Sequence, residues 1–339
     1  MYMQRNQIIY IPFPTKENKS NAAQIKLVDI LQKKYYVSGK LVKFFDIFKM
    51  LKTKAIFLNW IEDKLDYKMK LKIHIYKLFG VKIIWVFHNK LPHDISMDAK
   101  RVTANMKWLS DKCDVIWLFS QNSIRYIPNK KRNEKKAVFI PHIIYDSHVR
   151  DNNLSIIRNK YGILESDFVF IIFGLIRPYK NIERGIEAFT KLGLSNAKLI
   201  IAGNPTDAKY TKQIKKLCHA NNNIILDLHY VSNLLLDKLI GISDVVVLPY
   251  NDKSSMNSGV MIQAFSNAKT VISPDICMAR DFAKEKFFYG YRHSLEFAME
   301  RAYKNGKKIN KKMGEMAKCY VEQNHSEKIV SEQLYLLLE

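Results

Sequence analysis

Short runs of β-branched and aromatic residues alternate with helix-length amphipathic segments through most of the chain. Ile8–Ile11, Ala55–Leu58, Val81–Phe87, Asp114–Phe119 and Ala137–Ile140 are apolar in the continuous way of strands buried on both faces. Helical spacing fills the gaps between them, most clearly over Asn21–Lys33 and Leu65–Phe79. The segment Pro141–Asn153, PHIIYDSHVRDNN, is polar and breaks this rhythm, as a linker does. Beyond it the theme returns, with Phe168–Phe173, Lys198–Ala202, Ile224–Leu228, Asp244–Leu248 and Thr270–Ser273 as strands. The pattern predicts an α/β chain of two Rossmann-like domains with doubly wound parallel sheets, facing each other across a cleft. Their expected extents are 1–150 and 151–325, with 326–339 as a C-terminal helical segment. At 339 residues the chain is too long for one core, which also argues for two domains. The last helix, Glu327–Leu338, ends in LYLLL and needs cover, from the first domain or from a second copy.

The stretch most suggestive of chemistry is Phe168–Ile182, FVFIIFGLIRPYKNI. An apolar strand stops at Gly174, Arg177 and Lys180 follow, and a helical pattern starts at Ile182. A strand, a tight turn and a helix start aim backbone N–H groups and a positive helix end at an anion. A guanidinium and an ammonium at that turn suit a diphosphate.

Composition adds one asymmetry. The formal net charge is +23, and residues 1–150 hold 29 Lys and Arg against 12 Asp and Glu. The basic first half is expected to face something anionic, whether a lipid surface, a nucleic acid or a phosphorylated acceptor. In Leu65–Phe79 the lysines Lys68, Lys70, Lys72 and Lys77 are interleaved with apolar residues. That helix either lies in an anionic membrane interface or packs on the sheet with its lysines in water. The charge alone also fits a basic nucleic-acid-binding protein, but no zinc finger, aromatic RNA-binding motif or helix-turn-helix accompanies it, so no nucleic-acid partner is expected. The four cysteines are widely separated, which fits a reducing compartment and gives neither a zinc site nor a disulfide framework. The N-terminal apolar run is too short for a signal peptide, and no run reaches the ~20 apolar residues of a membrane helix. A cytoplasmic protein is expected.

Further polar groups fall at strand ends. In Trp85–Asp94, WVFHNKLPHD, His88 closes a strand and His93 and Asp94 follow on the loop. Either histidine has the chemistry of a base or donor, and Asp94 that of a proton acceptor or an orienting group. Pro92 breaks any regular helix through the two histidines and no third ligand is evident, so no metal site is expected. In Pro249–Gln263, PYNDKSSMNSGVMIQ, Ser254, Ser255 and Ser258 offer helix caps and Gly259 permits close backbone approach, a second anion cradle. Asn204 and Tyr230 end two other strands and suit a base or ribose.

These segments, in this order, resemble the family-4-type bacterial glycosyltransferases of the GT-B fold (glycosyl transferases group 1), including their polysaccharide-assembly members. FGLIRPYKNIERGIEAF resembles the family's donor-diphosphate segment. AGN, SDVVVLPY and SSMNSGVMIQAFSNAKTVISPD follow as in that superfamily, and WVFHN resembles its first-domain strand ending in histidine. The resemblance covers residues 80–275. It implies glycosyl transfer from a nucleotide-sugar donor, UDP-linked, with Gly174, Arg177, Lys180, Asn204, Tyr230, Ser255, Ser258, Gly259 and Gln263 on the donor. It further implies no other cofactor, and a saccharide acceptor, lipid-linked at the inner membrane face, in surface polysaccharide assembly. The family's two glutamates, with seven residues between them, fall here on Ser255 and Gln263. Without a carboxylate at 255 a retaining mechanism does not simply carry over. Inversion, with His88, His93 or Asp94 as base, and a catalytically inactive scaffold both stay open. In either stereochemical course Arg177 and Lys180 would stabilise the leaving diphosphate without a metal.

Overall fold

The computed structural model describes residues 5–14, 22–41, 46–90, 98–146, 154–219, 221–251 and 255–339. The chain divides into two compact units: unit 1 is Met1–Ile143 with His325–Glu339, and unit 2 is Ile144–Asn324. Of the expected linker, residues 147–153 lie outside the described residues.

Unit 1 contains β1 (Gln7–Ile11), β2 (Tyr36–Ser38), β3 (Thr53–Asn59), β4 (Lys82–Phe87), β5 (Val115–Leu118) and β6 (Ala137–Phe139). They form one sheet in the order β2-β1-β3-β4-β5-β6, and every pairing is parallel. Unit 2 contains β7 (Phe168–Phe173), β8 (Ala197–Ala202), β9 (Ile224–Asp227), β10 (Val245–Val247), β11 (Thr270–Pro274) and β12 (Tyr289–Tyr291). Its parallel sheet runs β12-β11-β10-β7-β8-β9. The α/β class and the two parallel sheets are as the apolar runs predict. Six consecutive residues of β7 are buried, which only a strand covered on both faces requires.

Each order reverses at one point, between β1 and β3 in unit 1 and between β7 and β10 in unit 2. Open α/β sheets bind ligands outside the strand carboxyl ends at such reversals, so topology already nominates the loops after β7 and β10.

The helix expected over Leu65–Phe79 spans Tyr67–Leu78, opened by Asp66, whose side chain accepts from the Met69 amide at 2.7 Å. Ile73 and Tyr76 are buried against unit 1, whereas Tyr67 (78% exposed), Leu71 (40%) and Leu78 (86%) stand in solvent. Their i, i+4, i+11 spacing places those three on one side of the helix.

The helix Glu327–Leu338 belongs to unit 1. Val330, Leu334 and Leu338 are buried, Tyr335 donates its hydroxyl to the Ile30 carbonyl at 2.7 Å, and Lys82 donates to the Leu337 carbonyl at 2.8 Å. Where the chain leaves and re-enters unit 1, His325 Nδ1 meets the His142 carbonyl at 2.8 Å. Both histidines are buried, and burial pushes His142 down to about 4.

All four tryptophans (Trp60, Trp85, Trp108, Trp117) lie in unit 1, so selectively excited tryptophan fluorescence reports that unit. Leu334→Ala should lower the stability of the fluorescence-detected urea transition by about 2–5 kcal/mol, the range for emptying a buried leucine site. An unchanged midpoint would show that the terminal helix does not hold unit 1 together.

Candidate functional site

At the unit 2 reversal, β7 and β8 end in glycines set back to back. Gly174 (φ +101°) and Gly203 (φ +149°) have backbone conformations that other residues rarely adopt. A Cβ on Gly203 would sit 1.9 Å from the Gly174 carbonyl oxygen, so only glycine permits this approach. The contact is extended by a hydrogen bond from the Ile176 amide to the Asn204 carbonyl, 2.9 Å, which ties the loop after β8 to that after β7.

Lys180 folds back under the turn. Its side chain is 4% exposed, and Nζ donates to the Phe173 carbonyl at 2.9 Å. A Cβ on Gly174 would lie 2.6 Å from that nitrogen. Burial, with the nearby Arg177 guanidinium adding to it, pushes the amine down to about 7. Arg177 itself is exposed. The helix Ile182–Leu192 carries the chain away, preceded by Asn181 in a left-handed conformation.

The loop after β10 closes on the same place. Lys180 Nζ stands 5.8 Å from the centroid of the Tyr250 ring, which packs 6.2 Å from Tyr179. Burial pushes the Tyr250 hydroxyl up, and the neighbouring Ser258 side chain opposes that shift. Ser258 Oγ in turn accepts from the Met261 amide at 3.2 Å and caps the helix Gly259–Ser266. Val260 on that helix would touch a Cβ at Gly174, 3.7 Å away. Ser255 is 2% exposed, and its Oγ has no hydrogen-bond partner among the described residues. A hydroxyl buried in this way costs about 1–3 kcal/mol unless something satisfies it.

The structure therefore brings Gly174, Lys180, Ser258 and Gly259 together, with Arg177 on the same turn and Asn204 tied in through its backbone. Gln263 lies one turn further into the helix and is partly buried. Tyr230 follows β9, the edge strand two positions from β7, and is half-exposed. Ser254 lies outside the described residues. Tyr250 was not singled out from sequence.

In unit 1, His88 follows β4 directly, with Nε2 3.2 Å from Asn59 Oδ1. The Trp60 ring stacks on it, centroids 3.9 Å apart at 19°. His93 and Asp94 lie outside the described residues. Asn59 and Trp60 were not singled out from sequence, although they stand in AIFLNW where His88 stands in IIWVFH, as the first polar groups after a buried strand.

Two parallel six-stranded Rossmann-like sheets are the architecture of the GT-B fold. Residues 155–318, all within unit 2, match the glycosyl transferases group 1 family. The chain is 26% identical over 202 residues to GDP-mannose:glycolipid 4-beta-D-mannosyltransferase of Xanthomonas campestris pv. campestris, an alignment covering 58% of this chain and 51% of that protein. It thus spans about half the length of the curated relatives it matches. Among solved structures it resembles HepE of Anabaena in complex with UDP (TM-score 0.76, 13% identity, 98% of both chains). It also resembles a glycosyltransferase from Rickettsia africae (TM-score 0.70, 14% identity, 98% of this chain and 96% of that one). At such identities these structures speak for the fold.

The state of Lys180 has a thermodynamic signature. Its amine titrates near pH ~10.4 when unfolded and is held down to about 7 when folded. Between those values the unfolded chain binds the extra proton, so stability rises with pH through that window. Lys180→Met should therefore stabilise the protein most below pH 7, with the gain shrinking toward pH ~10 in thermal melts. A gain independent of pH would show that the amine is not buried.

Proposed function

We propose that the protein transfers a glycosyl group from a nucleotide-sugar donor to a saccharide acceptor, and that the acceptor is lipid-linked. The observation that carries this reading is the Lys180 amine held under Gly174, with Arg177 on the same turn, at the reversal of the unit 2 sheet. Two cations and the capped end of the helix Gly259–Ser266 suit a diphosphate. The acceptor oxygen bonds the anomeric carbon while the bond from that carbon to the diphosphate breaks, its electron pair leaving with the diphosphate. The acceptor proton passes to a base of unit 1, for which His88, His93 and Asp94 are the candidates. With Ser255 where the family places a glutamate, an inverting course is the reading we adopt. Charge on the leaving group is met by protein cations, with no divalent metal. The donor is a UDP- or GDP-sugar: HepE was solved with UDP, while the Xanthomonas relative is named for GDP-mannose and a glycolipid. A role in surface polysaccharide assembly fits such an acceptor.

Calorimetry with UDP and GDP tests the donor site. One of them should bind, and Arg177→Ala and Lys180→Ala should each weaken binding by about tenfold or more, as loss of a charge-assisted contact does. Because an anion favours the protonated amine, binding above pH 7 should take up a proton, read from two buffers of different ionisation enthalpy. Transfer should persist in EDTA. No binding of either nucleotide would sink the proposal.

The acceptor places the protein at the cytoplasmic face of a membrane, and the exposed side of the helix Tyr67–Leu78 supports this. Tyr67, Leu71 and Leu78 stand in solvent beside Lys68 and Lys72. Among the described residues no helix is long and apolar enough to cross a membrane. Cosedimentation with anionic vesicles should exceed that with neutral ones, fall with salt, and drop in the triple variant Tyr67→Ser, Leu71→Ser, Leu78→Ser. Equal partitioning to both vesicle types would remove the membrane from the proposal.

A further inference from the structure

The carboxyl end of β9 carries a side-chain cluster that the transfer reading leaves unused. Asp227, the last residue of the strand, is buried. One of its carboxylate oxygens accepts the Tyr161 hydroxyl, and the other meets Nδ1 of His229. The His229 side chain is 60% exposed, against 6% for the aspartate beneath it. A carboxylate offers lone pairs only, so the proton between it and the ring sits on Nδ1. In the neutral imidazole the remaining lone pair is then on Nε2. Tyr161 engages the second oxygen and so steadies the carboxylate. The cluster thus holds a single oriented acceptor at the solvent edge of unit 2.

Its position follows from the sheet register. Phe173, Ala202 and Asp227 are partners in one row across β7, β8 and β9. At one end of that row the Phe173 carbonyl accepts from the Lys180 amine, and at the other stands the carboxylate under His229. Adjacent strands lie ~4.8 Å apart, so the two ends are separated by about 10 Å. Between them β8 runs out into Gly203, whose amide donates to the Asp227 carbonyl at 2.9 Å. Gly203 has no side chain to fill the sheet edge at that point. The interval from the Gly174 turn to His229 is therefore about what a ribose and a base span beyond a diphosphate.

We propose that His229 is a specificity-determining residue of the donor site, whose Nε2 accepts the ring N–H of a lactam nucleobase, so that uracil or guanine nucleotides are taken and adenine and cytosine nucleotides refused. This rests on the transferase reading, which leaves the donor as a UDP- or GDP-sugar; the proton on Nδ1 does not. Uracil carries a proton on N3 and guanine on N1, at the edge each base shows to its pairing partner. Adenine N1 and cytosine N3 carry lone pairs there and would face the lone pair of Nε2. Two acceptors brought together leave both unsatisfied, a mismatch that discriminates more strongly than a missing methylene does. Asp227 and Tyr161 are positioning residues. Without the carboxylate the imidazole is free to carry its proton on Nε2, and the preference goes.

Calorimetry of the full chain with UDP, GDP, CDP and ADP reads the preference. The tighter of UDP and GDP should bind about tenfold or more above CDP and ADP, as a site built to pair with one N–H does. His229→Ala should bring that ratio close to one, by weakening the favoured nucleotide and leaving the other two unchanged. Methylating the ring nitrogen of the favoured base should weaken binding to the unmodified protein as much as His229→Ala does, which keeps the test independent of any variant's folding. Long-range proton–nitrogen spectra with nitrogen-15 histidine, assigned by the signals lost in His229→Gln, should show the neutral ring protonated on Nδ1. Asp227→Asn should give a tautomer mixture and lose the base preference together. CDP or ADP binding as tightly as UDP and GDP, a preference that survives His229→Ala, or a neutral ring protonated on Nε2 overturns the proposal. Failure of all four nucleotides to bind overturns the donor reading itself, and this inference with it.

Discussion

The close approach of two backbones, Gly174 to Gly203, is the constraint on which the unit 2 site depends. Neither position has room for a side chain: one would strike a carbonyl oxygen and the other the Lys180 amine. Because β7 and β8 end together without intervening side chains, the Lys180 stem can pass beneath the turn to the Phe173 carbonyl. That placement puts the amine near the Tyr250 ring and brings the loop after β10, with its Ser258 cap, to the same point. Bulk at either glycine would separate the pieces although every charged residue remained.

The electrostatics follow from that packing. A lysine in water keeps its proton at neutral pH and binds anions weakly, because solvent screens it. Here the amine is almost wholly removed from water, has a carbonyl as its partner, and carries a proton affinity lowered to the physiological range. Arg177 on the same turn adds a permanent positive charge that disfavours a second one. In the proposed function the donor diphosphate would supply the negative charge that such a pair attracts. The Ser255 hydroxyl belongs to the same picture, as a buried polar group with no hydrogen-bond partner among the described residues.

How much of this the sequence disclosed depended on whether the signal was local. The buried strands were legible because parallel sheets covered on both sides demand unbroken apolar runs, and β7 is the clearest of them. The turn at Gly174 was legible because a glycine directly after such a run marks where the strand stops. β2 and β12 were not, since YVS and YGY are three-residue edge strands formed by pairing with β1 and β11 and not by their own composition. Asn59 and Trp60 were invisible for a related reason: their partner is His88, distant in sequence and adjacent only through the pairing of β3 with β4. The burial of Lys180 was equally unreadable, because nothing in RPYK tells an amine in solvent from one folded back beneath its own turn.

The placement of the last helix bears on how the protein is made. The segment that completes unit 1 follows unit 2 in the chain, so it leaves the ribosome only after all of unit 2 has been translated. Until then the surface later covered by Val330, Leu334 and Leu338 stays open, and the Ile30 carbonyl waits for Tyr335. Unit 2, contiguous in sequence, is free to fold as it emerges. The half of the molecule synthesised first is consequently the last to mature, and during that interval it is the half that presents apolar surface to chaperones, proteases and other nascent chains.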